Sequence, residues 1–79
     1  MKADHFEQAL RDFRSRQPFE PFYIELTSGK IIRILHPEAL ASQNGQAAHV
    51  ATDAAVTIFD HEGVARLFYE KREVAESNS

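Results

Sequence analysis

Hydrophobic positions recur along this chain with two different periods, and the switch between them sets out its architecture. Phe6, Ala9, Leu10 and Phe13 stand at i, i+3, i+4 and i+7, the stripe of an amphipathic helix. Glu7, Gln8, Arg11, Asp12 and Ser15 fall on the opposite side. Asp4 is placed to cap this helix, and Glu7 three residues later completes a capping-box pattern. Arg11, Arg14 and Arg16 crowd the C-terminal end, where positive charge offsets the helix dipole. Pro18 biases Gln17 away from helical geometry and ends the helix.

Beyond Pro21 the period becomes two. Residues 22–26 and 30–35 predict a β-hairpin, and the charges decide its register. A two-residue Ser28-Gly29 turn would set Arg33 opposite Ile24 on the apolar face. A three-residue loop, Thr27-Ser28-Gly29 with Gly29 in the left-handed region, pairs Leu26 with Lys30, Ile24 with Ile32 and Phe22 with Ile34. That register gathers Phe22, Ile24, Leu26, Ile32 and Ile34 on one face and Tyr23, Glu25, Ile31 and Arg33 on the other. A slip of one residue would exchange the two sets.

His36-Pro37-Glu38 breaks the second strand. Residues 39–43 read equally as a helical turn or as the lead into a strand, Asn44-Gly45 is a turn signal, and residues 47–51 return as a strand. After a loop at 52–55, Val56-Thr57-Ile58-Phe59 predicts a strand and Asp60-His61-Glu62-Gly63 a tight turn. Residues 64–69 form the last strand, its alternation blurred by Leu67-Phe68-Tyr69. The fold class this predicts is α+β, mainly β: an N-terminal amphipathic helix, then a small, strongly bent antiparallel sheet or barrel of about five strands. One domain covers residues 1–70, and 71–79 form a polar tail expected to be disordered.

Composition narrows the picture. A chain of 79 residues buries only about 60% of its unfolded surface, and a core of this size supplies roughly 3–5 kcal/mol. Cysteine is absent, so disulfides and thiolate zinc sites are excluded, and association with another subunit is the compensation left open. The net charge of −3 argues against broad nonspecific nucleic-acid binding. No apolar stretch approaches membrane-spanning length and no signal-peptide pattern opens the chain, so a cytoplasmic protein without a membrane partner is expected.

The order of one helix, about five short strands and tight turns resembles that of Sm-like proteins, over roughly residues 4 to 69. The Ser28-Gly29-Lys30 turn and the one-turn Asp60-His61-Glu62-Gly63 connection carry the likeness. It implies a small barrel of Sm-like or SH3-like type and, as a second ligand class after protein, RNA. Phe59-Asp60-His61 has an acid where the bacterial RNA-chaperone members carry lysine. The chain also resembles short bacterial proteins built around Pro-Phe-x-Pro-Phe, a Gly-basic hairpin and a His-Pro-acid break. Here these are Pro18-Phe19-Glu20-Pro21-Phe22, Gly29-Lys30 and His36-Pro37-Glu38. That family has no assigned activity, so the resemblance implies a fold and no chemistry.

Candidate chemistry is sparse. His5, His36, His49 and His61 lack the spacing of a metal site, and no metal or cofactor is expected. There is no nucleophile elbow and no phosphate loop, and a barrel this small leaves little room for a substrate pocket. No catalytic residue is therefore nominated, and an enzyme using the Asp60-His61-Glu62 turn ranks third among the functions. Arg11, Arg14, Arg16 and Arg33 are the candidate contacts for nucleic acid or another anion, although no exposed aromatics interleave them along the chain. Tyr23, Ile31 and Leu35, with Leu67, Phe68 and Tyr69, leave an apolar surplus that marks an interface. The expected function is a noncatalytic interaction module, a homo-oligomer through its strand edges or a binder of another protein. Regulation through RNA or another nucleic acid is the alternative.

Overall fold

The computed structural model describes residues 1–70. Helix α1 runs over Ala3–Ser15 and is followed by strands β1 (Phe22–Leu26), β2 (Ile31–Ile34), β3 (Leu40–Gln43), β4 (Gln46–Val50), β5 (Val56–Asp60) and β6 (Val64–Tyr69). They form two three-stranded antiparallel sheets, in the orders β2-β1-β6 and β3-β4-β5. Among the described residues no hydrogen-bonded barrel is closed. The tail expected over 71–79 lies outside the described residues.

The first hairpin has the three-residue loop and the register that its charges predict: Phe22 opposite Ile34 and Ile24 opposite Ile32. The Leu26 N–H donates to the Lys30 carbonyl at 2.8 Å, the Gly29 N–H to the Leu26 carbonyl at 2.9 Å, and Gly29 has φ +95°. Phe22, Ile24, Ile32 and Ile34 are buried, with Leu26 packed against them.

One expectation needs correction, and it concerns the helix start. The second strand breaks at His36-Pro37-Glu38 as its sequence predicts, where Pro37 seeds a single 3-10 turn over Pro37–Ala39. Proline has no N–H for a ladder and a fixed φ, so the chain leaves one sheet at Ile34 and enters the other at Leu40. This raises the count to six strands, and residues 39–51 supply both the helical turn and a hairpin. The correction concerns the cap. Lys2 occupies the cap position and makes no side-chain cap, and Asp4 lies within the first turn. Glu7, instead of folding back, reaches across to the Asn44-Gly45 turn, where the Gly45 N–H donates to Oε2 at 2.6 Å and the Ser42 hydroxyl to Oε1 at 3.4 Å. A charge-assisted bond to a half-buried turn is stronger than a cap in open water.

Strand β6 runs over the expected residues, and its pairing explains the blurred alternation. Its register against β1 runs Phe22–Tyr69, Ile24–Leu67 and Glu25–Arg66, then shifts to Leu26–Val64. The extra residue is Ala65, a β-bulge that changes the parity of the strand. Val64, Leu67 and Tyr69 therefore all turn inward, the last two packing against the core, and Phe68 faces out.

Helix α1 spans the mouth between the sheets. Near its N-terminus, Phe6 meets Phe59 of β5 edge-on, with ring centroids 6.2 Å apart. Near its C-terminus, Phe13 lies 5.0 Å from Phe22 of β1 and 4.7 Å from Tyr69 of β6. The same apolar stripe thus ties together two sheets that share no ladder. Phe6 and Leu10 are fully buried.

Candidate functional site

Two sheets that do not close leave a cleft of about 530 Å³ between them. That volume lies within the usual range for ligand sites, and it corrects the expectation of a barrel too small to hold a pocket. One wall is the free edge of β2, with Ile31, Ile32 and Arg33 continuing into Leu35 and His36. The other is the tip of the β4–β5 hairpin, with Val50, Ala51, Asp53 and Thr57. The hairpin tip is closed by the Ala51 N–H donating to the Ala55 carbonyl at 2.9 Å.

His49 lines this cleft. It sits on the inward face of β4, opposite Leu40 on one side and Thr57 on the other, and only 8% of it is exposed. Among the described residues its ring makes no hydrogen bond, which is costly for a buried polar group. Burial holds the imidazole below its ordinary range, because charging it there forfeits hydration. Unfolding returns it to its ordinary value near about 6.5. The unfolded chain then binds more protons than the folded one in mild acid, so this contribution to stability is full above that value and lost as pH falls. The melting temperature of a His49→Leu variant is expected to fall less than that of the parent between about pH 7 and about pH 5. Equal slopes would show that His49 plays no part.

The four arginines do not converge. Arg11 donates to Gln8 Oε1 at 3.1 Å and, with Arg14, borders a shallow hollow beside Pro37. Arg16 pairs with Glu20 at 3.1 Å and lies 4.9 Å from the centre of the Tyr69 ring. The adjacent Tyr69 side chain and the Glu20 carboxylate hold its guanidinium more firmly charged than usual. Arg33 is on the outward face of β2, away from the helix.

On that outward face the fold brings together an arginine–aromatic row that the linear sequence hides. Tyr23 and Phe68 are register partners and stack at 5.3 Å with planes 13° apart. Arg66 covers Phe68 at 4.1 Å, and Arg33 lies 6.0 Å from Tyr23. Arg66 also donates to Glu25 Oε1 at 2.6 Å, and the Tyr23 hydroxyl to Glu70 at 3.3 Å. The ring faces are thus turned toward each other and toward guanidinium groups, and Glu25 pairs with Arg66. Ile31 beside this row is exposed.

The apolar residues expected at an interface divide accordingly. Tyr23, Ile31 and Phe68 are on the outward face, Leu35 borders the cleft, and Leu67 and Tyr69 are half-buried against the core. A second exposed apolar set went unnoticed in the sequence. Val50 of β4, with Val56 and Ile58 of β5, faces outward from the other sheet, and Ile58 is 78% exposed. The signal was present in the alternation of Val56-Thr57-Ile58-Phe59, which has apolar residues on both faces of an edge strand.

Among the described residues no group of three or more His, Asp or Glu side chains is placed to hold a metal ion, and none of their helices is long and apolar enough to cross a membrane. Asp60 of the Asp60-His61-Glu62 turn accepts from the Gly63 N–H at 3.2 Å, and His61 Nδ1 is 2.8 Å from the Met1 carbonyl. Both hold the turn in shape. Comparison with family models, curated proteins and solved structures gave no match for this chain.

Proposed function

We propose that the protein is a noncatalytic interaction module whose first partner is a second copy of itself, joined through strand edges. The observation that carries this reading is β5. It is an edge strand, and its outward residues Val56 and Ile58 are 59% and 78% exposed. An open apolar edge of this kind is a template for pairing and is seldom left bare.

The complementary edge is β6, the free margin of the other sheet. Continuing one sheet into the next requires outward residues to meet outward residues, so only registers of one parity are allowed. Within that parity, setting Asp60 opposite Arg66 of the next copy also sets Ile58 opposite Phe68 and Phe59 opposite Leu67. This alignment matches an acid with a base and apolar groups with apolar groups, each cross-strand pair contributing roughly 0.2–1 kcal/mol. Head-to-tail contacts of this sort form a ring when the rotation between successive copies closes.

Light scattering behind a sizing column, at low and at high salt, tests the reading. A mass of several subunits that survives high salt is expected, since apolar contacts are not screened. An Ile58→Asp variant is expected to elute near the 9.0 kDa of one chain with the circular dichroism spectrum of the parent, and to melt lower because association no longer stabilises the fold. A parent chain that is itself a monomer would refute self-association. Assembly that appears only with added RNA and dissolves in salt would favour the nucleic-acid alternative.

A further inference from the structure

The cleft beside β2 is separate from the β5 and β6 edges just discussed, and it has a feature that a simple hollow lacks: a row of unused backbone groups. In an antiparallel pair, residues alternate between those that bond to the partner strand and those whose N–H and C=O point away from it. The Leu26–Lys30 bond at 2.8 Å fixes the phase. Ile32 and Ile34 therefore bond to β1, and Ile31 and Arg33 direct their N–H and C=O outward. Because β2 is the edge of its sheet, nothing among the described strands receives them, and both residues line the cleft.

We propose that this cleft binds an extended, acidic peptide segment of a partner protein, added as a fourth strand to the edge of β2. Three observations define the chemistry of the segment. The four backbone groups of Ile31 and Arg33 supply the hydrogen bonds of strand addition. Alternate side chains of an added strand would point to the floor, where Ile32, Leu35 and Ala39 are apolar and the buried His49 offers one unpaired polar ring. Lys30, Arg33 and His36 run along the β2 side, against Asp53 alone on the hairpin side. The segment therefore has apolar residues at every second position, one of them replaced by a small hydroxyl residue over His49, with Asp or Glu between. Four residues of β2 span about 13 Å at roughly 3.3 Å per residue, so five or so peptide residues fill the edge. A small organic ligand would use His49 and the apolar floor but would leave the β2 backbone groups in water.

Panning a random peptide library on phage against the full chain, followed by synthesis of the strongest binder, tests this. The selected sequences are expected to alternate apolar and acidic residues. On titration of the synthetic peptide into isotopically labelled protein, the amides of Ile31 and Arg33 are expected to become protected from hydrogen exchange, and the His49 ring signals to shift. Methylating alternate peptide nitrogens is expected to weaken binding about tenfold, as loss of backbone bonds would. Ile31→Pro removes an outward N–H without touching the β1 ladder, which an edge strand tolerates; it is expected to keep the parent fold and to lose binding by a similar factor. Arg33→Glu is expected to weaken an acidic peptide in the same direction. A library that yields no binder overturns the proposal. So does a binder that is indifferent to nitrogen methylation and to Ile31→Pro, or one that leaves the two amides unprotected and so occupies the cleft as a small ligand would.

Discussion

Replacing Phe22 by alanine is expected to leave the chain largely unfolded at room temperature. Phe22 is fully buried and stands where three parts of the molecule meet. Its ring lies 5.0 Å from Phe13 of the helix and 6.1 Å from Phe19 of the connector, and it heads the β1 strand that pairs with both β2 and β6. Truncating a buried Phe costs about 3–5 kcal/mol, from lost transfer energy and the cavity left behind. A core this small supplies roughly that much in total. A thermal melt followed by circular dichroism checks it, with Phe68→Ala as control. Phe68 is the same residue type on the outward face, where its stack with Tyr23 is worth about 0.5–1.5 kcal/mol beyond burial, so its melting point should shift modestly. In a domain of this size 1 kcal/mol moves the midpoint by about 4–8 °C. A Phe22→Ala melt within a few degrees of the parent would remove Phe22 from the core.

The contrast between those two phenylalanines shows what the sequence made legible. Phe22 falls in the hairpin, where period-two alternation, the placement of Arg33 and the need for a glycine in the loop all select one register, and the structure has it. Local rules that agree in this way leave little freedom. In β6 the alternation cannot be read, because the bulge at Ala65 changes parity in mid-strand. Whether Leu67 or Phe68 faces the core depends on a register shift against β1, a strand forty residues earlier. Asp4 does not cap because the helix starts ahead of it, with the Phe6 N–H bonded to the Lys2 carbonyl, and the Glu7 side chain is used by a turn thirty-eight residues away. Likewise, the cleft and the arginine–aromatic row each exist only once distant strands are aligned. Tyr23 and Phe68 become neighbours through β1–β6 pairing, and Arg33 and Arg66 join from opposite sides.

The same division explains why candidate binding surfaces lie where they do. The two sheets share no ladder, so the described residues have four edge strands: β2 and β6 in one sheet, β3 and β5 in the other. Glu7 pins the β3–β4 turn to the helix, and the aromatic stripe of α1 holds the sheets in place from one side only. On the other side the β2 edge and the β4–β5 hairpin tip remain apart, and the cleft is the gap between them. An architecture in which a short helix substitutes for barrel closure thus leaves edges exposed by construction, and each invites an added strand.

Gly45→Ala is expected to be the second most damaging small change, and its comparison with Gly29→Ala isolates the cause. Both glycines have positive φ, +84° and +95°, a region that costs an L-residue about 1–2 kcal/mol. At Gly29 an added Cβ would meet nothing within 4 Å, so its loss is expected to stop there. At Gly45 the new carbon would stand 2.8 Å from Cδ2 of His61 and 3.5 Å from Cβ of Ala3. The His61 ring cannot easily withdraw. Its backbone N–H donates to the Gly45 carbonyl at 2.7 Å, and its Nδ1 is tied to the Met1 carbonyl at 2.8 Å. Moving the turn instead would strain the 2.6 Å bond from the Gly45 N–H to Glu7. Overpacking adds roughly 1–3 kcal/mol, for a total of about 2–5 kcal/mol when combined with the backbone cost. Chemical denaturation of the two variants side by side measures the difference. A Gly45→Ala loss larger by about 1–3 kcal/mol would establish that the β3–β4 turn is wedged between the helix start and the β5–β6 turn. Equal losses would mean that the turn is free to move, and Glu7 would then hold it only loosely.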